Sequence, residues 1–220
     1  AQTLGLAEAL GLTPEIQRVA PRGPFDWLAP FGPADPQGGA AWAAPFPNIA
    51  LAAGRRTIPA LRRLKRLSGG KTFTVYLNTP ASGLRTADVI VAPRHDALAG
   101  PNVFSPLTPA HRVTPERLAA ARAAPDPRVA ALPGRRVALL IGGDSRHVRF
   151  DAAEIAHIAT IARALRDFGV SVMATASRRT PAPLCDALRE LLLPPNGFFW
   201  ANEGDNPYFS MLALADALIV

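Results

Sequence analysis

Four apolar runs of strand length follow one another through the second half of the chain: VALLIGG (137–143), VSVMATAS (170–177), GFFWAN (197–202) and ALIV (217–220), with helical stretches between them. Strict alternation of strand and helix is the mark of a parallel sheet, because parallel neighbours need a long crossover and a helix supplies it. The same alternation occurs earlier. IALAAG (49–54), TFTVYLN (72–78) and DVIVAP (88–93) read as strands, with a basic helix at 58–67 between the first two. The near-continuous apolar runs at Ile49 and Val89 fit strands covered on both faces.

In 220 residues this pattern predicts an α/β protein of two Rossmann-like domains whose parallel sheets face a cleft. The expected division is an N-terminal domain over 1–112, a connection over 113–134 and a C-terminal domain over 135–220. The connection is drawn from the stretch 101–133, which carries seven prolines and one helical segment near 116–123. AQTLGLAEALGL opens the chain as a short amphipathic helix. Ala1 falls inside that helix and Val220 inside an apparent strand, so truncation at both ends is expected.

Helix boundaries in the second half are marked by local chemistry. Asp151 followed by Glu154 is a capping box, and Ile155, Ile158, Ala162 and Leu165 then share a face until Gly169. Thr180-Pro181 and Asn206-Pro207 each set a capping side chain before a proline, which tolerates the first helical position because its missing N–H needs no partner there. Three strand-to-helix loops result, 142–151, 177–181 and 202–207, and in open parallel sheets ligands gather where such loops leave the carboxyl ends of strands.

The first loop, LIGGDSRH (140–147), carries the sharpest signal. Gly142 and Gly143 allow a tight turn and close approach of backbone to a ligand; Asp144 follows them, Ser145 and the loop N–H groups suit phosphate oxygens, and Arg146 supplies charge. The pattern is neither G-x-G-x-x-G nor a Walker A loop, so dehydrogenase and NTPase readings lack a motif, and the glycines also fit a plain turn. In the second loop Ser177, Arg178, Arg179 and Thr180 stand at a strand end, where two guanidiniums favour an anion or make a solvated basic turn. In the third, Glu203 and Asp205 suit sugar or ribose hydroxyls, while Asp205 and Asn206 also fit simple capping beside Pro207. A fourth loop after the first strand, in the other half, sets Gly54, Arg55 and Arg56 at a helix start, expected to face the cleft.

No catalytic residue is assigned. His95, His111, His147 and His157 lack metal-ligand spacing and Cys185 has no paired base, so no metal and no cofactor are expected. His147 reads as a general base or as an ordinary hydrogen-bonding residue. With one cysteine, no leader and no apolar run near the roughly 20 residues that cross a bilayer, a cytoplasmic protein is expected, peripheral to the inner membrane at most.

The formal charge of +7 comes almost wholly from arginine, which points to anionic partners. RRTIPALRRLKR (55–66) holds six basic residues in twelve, and the segment 21–47 interleaves seven prolines with Phe25, Trp27, Phe31, Trp42 and Phe46. The helix reads as a solvated face, or together with that aromatic segment as a seat on an anionic membrane. Nucleic acid is disfavoured, since few aromatics interleave with the basic residues.

At GRRT, RHDALAGPNV, HRVTPERL, LIGGDSRH, TASRRTP and GDNPYFSMLALAD, in this order, the chain resembles the mitochondrial-fission (elongated-mitochondria-type) family. Bacterial members of that family are often labelled predicted nucleoside-diphosphate-sugar epimerases. The resemblance implies a GT-B glycosyltransferase-like fold. The second half also resembles the donor half of the peptidoglycan N-acetylglucosaminyltransferase, with Gly142, Gly143 and Ser145 at the positions of its glycine-serine loop. The function so implied is transfer of a glycosyl group from a nucleotide-diphosphate sugar, with the alternative of a non-catalytic membrane-surface or partner-recruiting scaffold, as in the plant relatives.

Overall fold

The computed structural model describes residues 2–39, 42–144 and 149–220. Ser145, Arg146 and His147 of the glycine loop lie outside the described residues. The chain forms two compact units, Ala1–Arg112 and Val113–Val220.

The first unit opens with α1 (Gln2–Ala9) and α2 (Pro24–Leu28), followed by β1 (Ile49–Ala53), α3 (Ile58–Leu67), β2 (Phe73–Leu77), β3 (Val89–Val91) and β4 (Val103–Phe104). The strands make one parallel sheet in chain order. α3 buries Ile58, Ala60, Leu61 and Leu64, as the spacing predicts, while Arg66 is exposed and Arg62, Arg63 and Lys65 are half-buried. Ile58 and Leu61 pack with Ala52 of β1 and Tyr76 of β2 in the core. β4 was not read from the sequence, because a two-residue strand beside prolines carries no periodicity.

A charged link holds α3 to the sheet edge. Lys65 Nζ lies 2.7 Å from Asp88 Oδ2, which also accepts from the N–H and the hydroxyl of Thr74 at 2.7 and 2.8 Å. Burial pushes the Asp88 carboxyl up, but the Lys65 and Thr74 bonds together hold it below its ordinary value.

The second unit contains α4 (Pro115–Ala123), α5 (Pro127–Ala130), β5 (Arg136–Leu140), α6 (Ala152–Asp167), β6 (Ser171–Thr175), α7 (Ala182–Leu191), β7 (Gly197–Trp200), α8 (Tyr208–Leu214) and β8 (Ala217–Ile219). Its parallel sheet has the order β7-β6-β5-β8. Alternation sorts the side chains: Val137, Leu139, Val172 and Ala174 pack with Ala162 of α6 and Leu184 and Leu188 of α7. Ala138 and Met173, one residue out of phase, meet Val129, Leu132 and Met211 on the other face. Both units are therefore α/β with four-stranded parallel sheets. The proline-rich residues 113–134 form α4 and α5 and contribute Val129 and Leu132 to this core.

α6 starts as its sequence predicts. Asp151 accepts from the Glu154 N–H at 2.9 Å and Glu154 accepts from the Asp151 N–H at 3.1 Å, a complete capping box. Among the described residues no helix is long and apolar enough to cross a membrane.

Candidate functional site

The strand order of the second unit reverses at β5, with β6 and β7 to one side and β8 to the other. Such a reversal opens a crevice at the carboxyl ends of the two strands that part there, because their crossovers leave in opposite directions. The segment leaving β5 at this point, residues 141–144, carries Gly142 and Gly143. Leu140, Thr175 and Trp200 lie in register at the ends of β5, β6 and β7, so all three sequence-derived loops leave the same edge of the sheet.

Two of those loops are bonded into one piece. The Thr180 hydroxyl donates to the Gly142 carbonyl at 2.6 Å, and the Asp144 N–H donates to the Arg179 carbonyl at 2.9 Å. Thr180 Oγ1 also accepts from the Ser177 N–H at 2.8 Å. A hydroxyl has one proton, so with Thr180 donating to Gly142, Ser177 is the donor in their 3.1 Å contact and accepts from the Arg179 N–H at 3.2 Å. Thr180 is thus not the helix cap its position before Pro181 suggests: α7 begins without a side-chain cap, and the hydroxyl turns back to bind the neighbouring loop. Asn206 is not the cap of α8 either: the cap position is Pro207, which has no side-chain cap, and Asn206 just before it accepts from the Tyr208 N–H at 2.9 Å, closing a local turn.

The two glycines differ in what surrounds them. A Cβ on Gly143 would lie 2.4 Å from the Arg179 carbonyl carbon and 2.5 Å from Ser177 Oγ, so only glycine fits between the loops. A Cβ on Gly142 would meet nothing within 4 Å, and Gly142 is exposed. Close packing explains Gly143, whereas Gly142 is open to approach from solvent.

The charges at this edge are unevenly placed. The first turn of α6 is already served by Asp151 and Glu154, and Asp144 Oδ1 accepts from the Phe150 N–H at 3.0 Å, so the carboxylates there meet the loop's own donors. Positive charge comes from the adjoining loop, where Arg178 and Arg179 are exposed and their guanidiniums have no partner among the described residues. Asp205 and Asn206 are exposed at the same edge. Arg128 ties their loop to α5, donating to the Asp205 carbonyl at 2.9 Å and to Asp126 Oδ2 at 2.7 Å.

In the first unit the fourth loop has another geometry. Gly54 leaves β1 with φ 89°, a left-handed conformation suited to glycine. Arg55 and Arg56 turn onto Asp26 of α2. Arg55 reaches Asp26 Oδ1 at 3.3 Å and the carbonyls of Asp26 and Ala29 at 3.0 and 2.8 Å, and Arg56 meets Asp26 Oδ2 at 2.6 Å. These contacts order the proline-rich segment over α3. Their partner, Asp26, was not singled out in the sequence, since an aspartate among prolines carries no signal of a contact 29 residues away.

A further cluster, also missed by sequence reasoning, sits at the carboxyl edge of the first sheet. Thr79 donates to Asp96 Oδ2 at 2.6 Å, and His95 Nε2 lies 3.4 Å from Asp96 Oδ1. Asn78 and Ala97 beside it have φ 79° and 52°. The available signal was the Arg94-His95-Asp96 triplet directly after a strand. Among the described residues no group of three or more His, Cys, Asp or Glu side chains could hold a metal ion.

Comparison with known proteins places the chain. A relative from Arabidopsis thaliana, mitochondrial fission protein ELM1, is 28% identical across an alignment that covers 79% of this chain and 46% of that protein. The chain therefore spans about half the length of that relative. No solved structure gives a significant match. The family model described as mitochondrial fission ELM1 matches residues 1–220, and the chain belongs to that family.

Proposed function

We propose that the second unit binds the diphosphate of a nucleotide-diphosphate sugar at the carboxyl edge of its sheet, in a GT-B-like protein that transfers the glycosyl group. One observation carries this reading: the Gly142–Gly143 segment leaves β5 at the reversal of strand order and is locked to the loop bearing Arg178 and Arg179. In such a site the open Gly142 lets the ligand approach the backbone, and the two guanidiniums neutralise phosphate oxygens. On transfer, the bond from the anomeric carbon to the diphosphate oxygen breaks as a bond to the oxygen of an acceptor hydroxyl forms, the hydroxyl proton passes to solvent, and the negative charge left on the diphosphate is stabilised by the same arginines. Asp205 and Asn206, at the same edge, suit hydroxyl groups of the sugar or ribose. The work of such a protein would lie in the cytoplasm.

The test is thermal unfolding with a panel of nucleotide diphosphates and their sugars at millimolar concentration. A ligand at about ten times its Kd stabilises by about 1.4 kcal/mol, which raises Tm by several degrees in a unit of this size. A shift that disappears in Arg178→Ala/Arg179→Ala supports the proposal; no shift with any member of the panel rejects it. A second reading is a non-catalytic scaffold at a membrane surface or one that recruits a partner; the relative's name, a mitochondrial fission protein, names no reaction. That reading gains if the panel fails.

A further inference from the structure

Segment 21–39 presents three large apolar side chains to solvent within five residues: Trp27 is 83% exposed, Leu28 53% and Phe31 71%. Scattered single apolar residues are normal on a surface, but a tight group of this size marks an interaction site. The group is held in place by hydrogen bonds. The Phe31 and Gly32 N–H groups both donate to the Leu28 carbonyl, at 2.8 and 2.7 Å, closing a turn behind the tip. Arg55 donates to the carbonyls of Asp26 and Ala29, and Arg62 donates to that of Pro30 at 3.0 Å, so side chains from the turn before α3 and from α3 itself hold the tip's backbone.

The net charge around the tip is positive. Residues 21–66 carry seven basic and two acidic side chains, Asp26 and Asp35, so a net +5 of the chain's +7 lies in this segment. Arg55 and Arg56 remain 51% and 57% exposed while bonded to Asp26, and can meet an anionic layer without releasing the tip. We propose that Trp27, Leu28 and Phe31 insert into the interfacial layer of an anionic phospholipid membrane, with the arginines around them on lipid phosphates. Tryptophan favours this depth because its ring is apolar while its N–H stays within reach of water. Since the tip is ordered before contact, little conformational freedom is lost on insertion. This inference does not depend on the nucleotide-sugar site.

The experiment is partitioning of the purified chain onto vesicles of phosphatidylcholine alone and of phosphatidylcholine mixed with phosphatidylglycerol. The expected result is binding to the mixed vesicles, with Trp27 fluorescence quenched by brominated lipid in a Trp42→Phe/Trp200→Phe background. Trp27→Ser/Phe31→Ser should weaken that binding at least about tenfold, and Arg56→Gln about fivefold. Because the substituted aromatic side chains are exposed, the double variant should unfold in urea as the parent does, which separates lost docking from lost folding. No binding of the parent to mixed vesicles overturns the proposal and leaves the tip to a protein partner. Binding unchanged in the aromatic double variant, or equal on neutral vesicles, overturns it as well.

Discussion

The Thr180 hydroxyl and the Gly142 carbonyl, 38 residues apart in sequence, meet at 2.6 Å and fasten the β6–α7 loop to the loop that leaves β5. Thr180→Val removes this bond and also the acceptor of the Ser177 N–H. The second unit should lose about 1–2 kcal/mol in urea unfolding, because two backbone groups are left without partners. Thr180→Ser, which keeps the hydroxyl, should recover most of that loss.

Gly142 and Gly143 should respond in opposite ways to the same substitution. A Cβ at Gly143 would press into the backbone of Arg179, so Gly143→Ala should cost about 1–3 kcal/mol of stability. At Gly142 a Cβ meets nothing within 4 Å, so Gly142→Ala should leave Tm nearly unchanged. If the ligand lies where we propose, Gly142→Ala should still weaken nucleotide-sugar binding, which titration calorimetry would measure.

The proline-rich segment should be sensitive to acid. Asp35 accepts from the Gln37 N–H at 2.9 Å and from the N–H and Nε of Arg22 at 3.0 and 3.3 Å. The Gln37 bond foremost, aided by Arg22 and opposed by burial, lowers its carboxyl from 3.8 to about 2. A carboxyl depressed in the folded state adds stability above its unfolded value, so this contribution is present above about pH 4 and lost as pH falls towards 2. Nuclear magnetic resonance of the Gln37 amide should follow that titration, and Asp35→Asn should abolish it.

Asp26→Ala should separate local order from global stability. The ion pairs of Asp26 with Arg55 and Arg56 are partly exposed, so the unit should lose at most about 1 kcal/mol. The hold on segment 21–39 weakens nonetheless, and limited proteolysis should cut there faster than in the parent while the rest of the first unit resists.

Most of the architecture was legible because it is written in local periods. Strands fall where apolar runs do, α3 covers the residues its spacing indicates, and the Asp151–Glu154 box is complete within four residues. Contacts distant in sequence were not legible. Thr180 sits where a cap belongs, yet its partner is the Gly142 carbonyl; Arg55 and Arg56 sit where an anion would bind, yet Asp26 draws them down. The glycine pair was visible as a signal, but that one glycine is required by packing and the other open to solvent depends on a loop the local pattern does not show. β4 escaped because two residues beside prolines have no period to read.

The central claim is most directly tested by a crystal structure of the chain soaked with a uridine-diphosphate sugar. The account predicts density for the diphosphate at the carboxyl ends of β5 and β8, over Gly142 and within reach of Arg178 and Arg179. A clear map of that edge without a ligand at saturating concentration, or density bound only elsewhere, would contradict it.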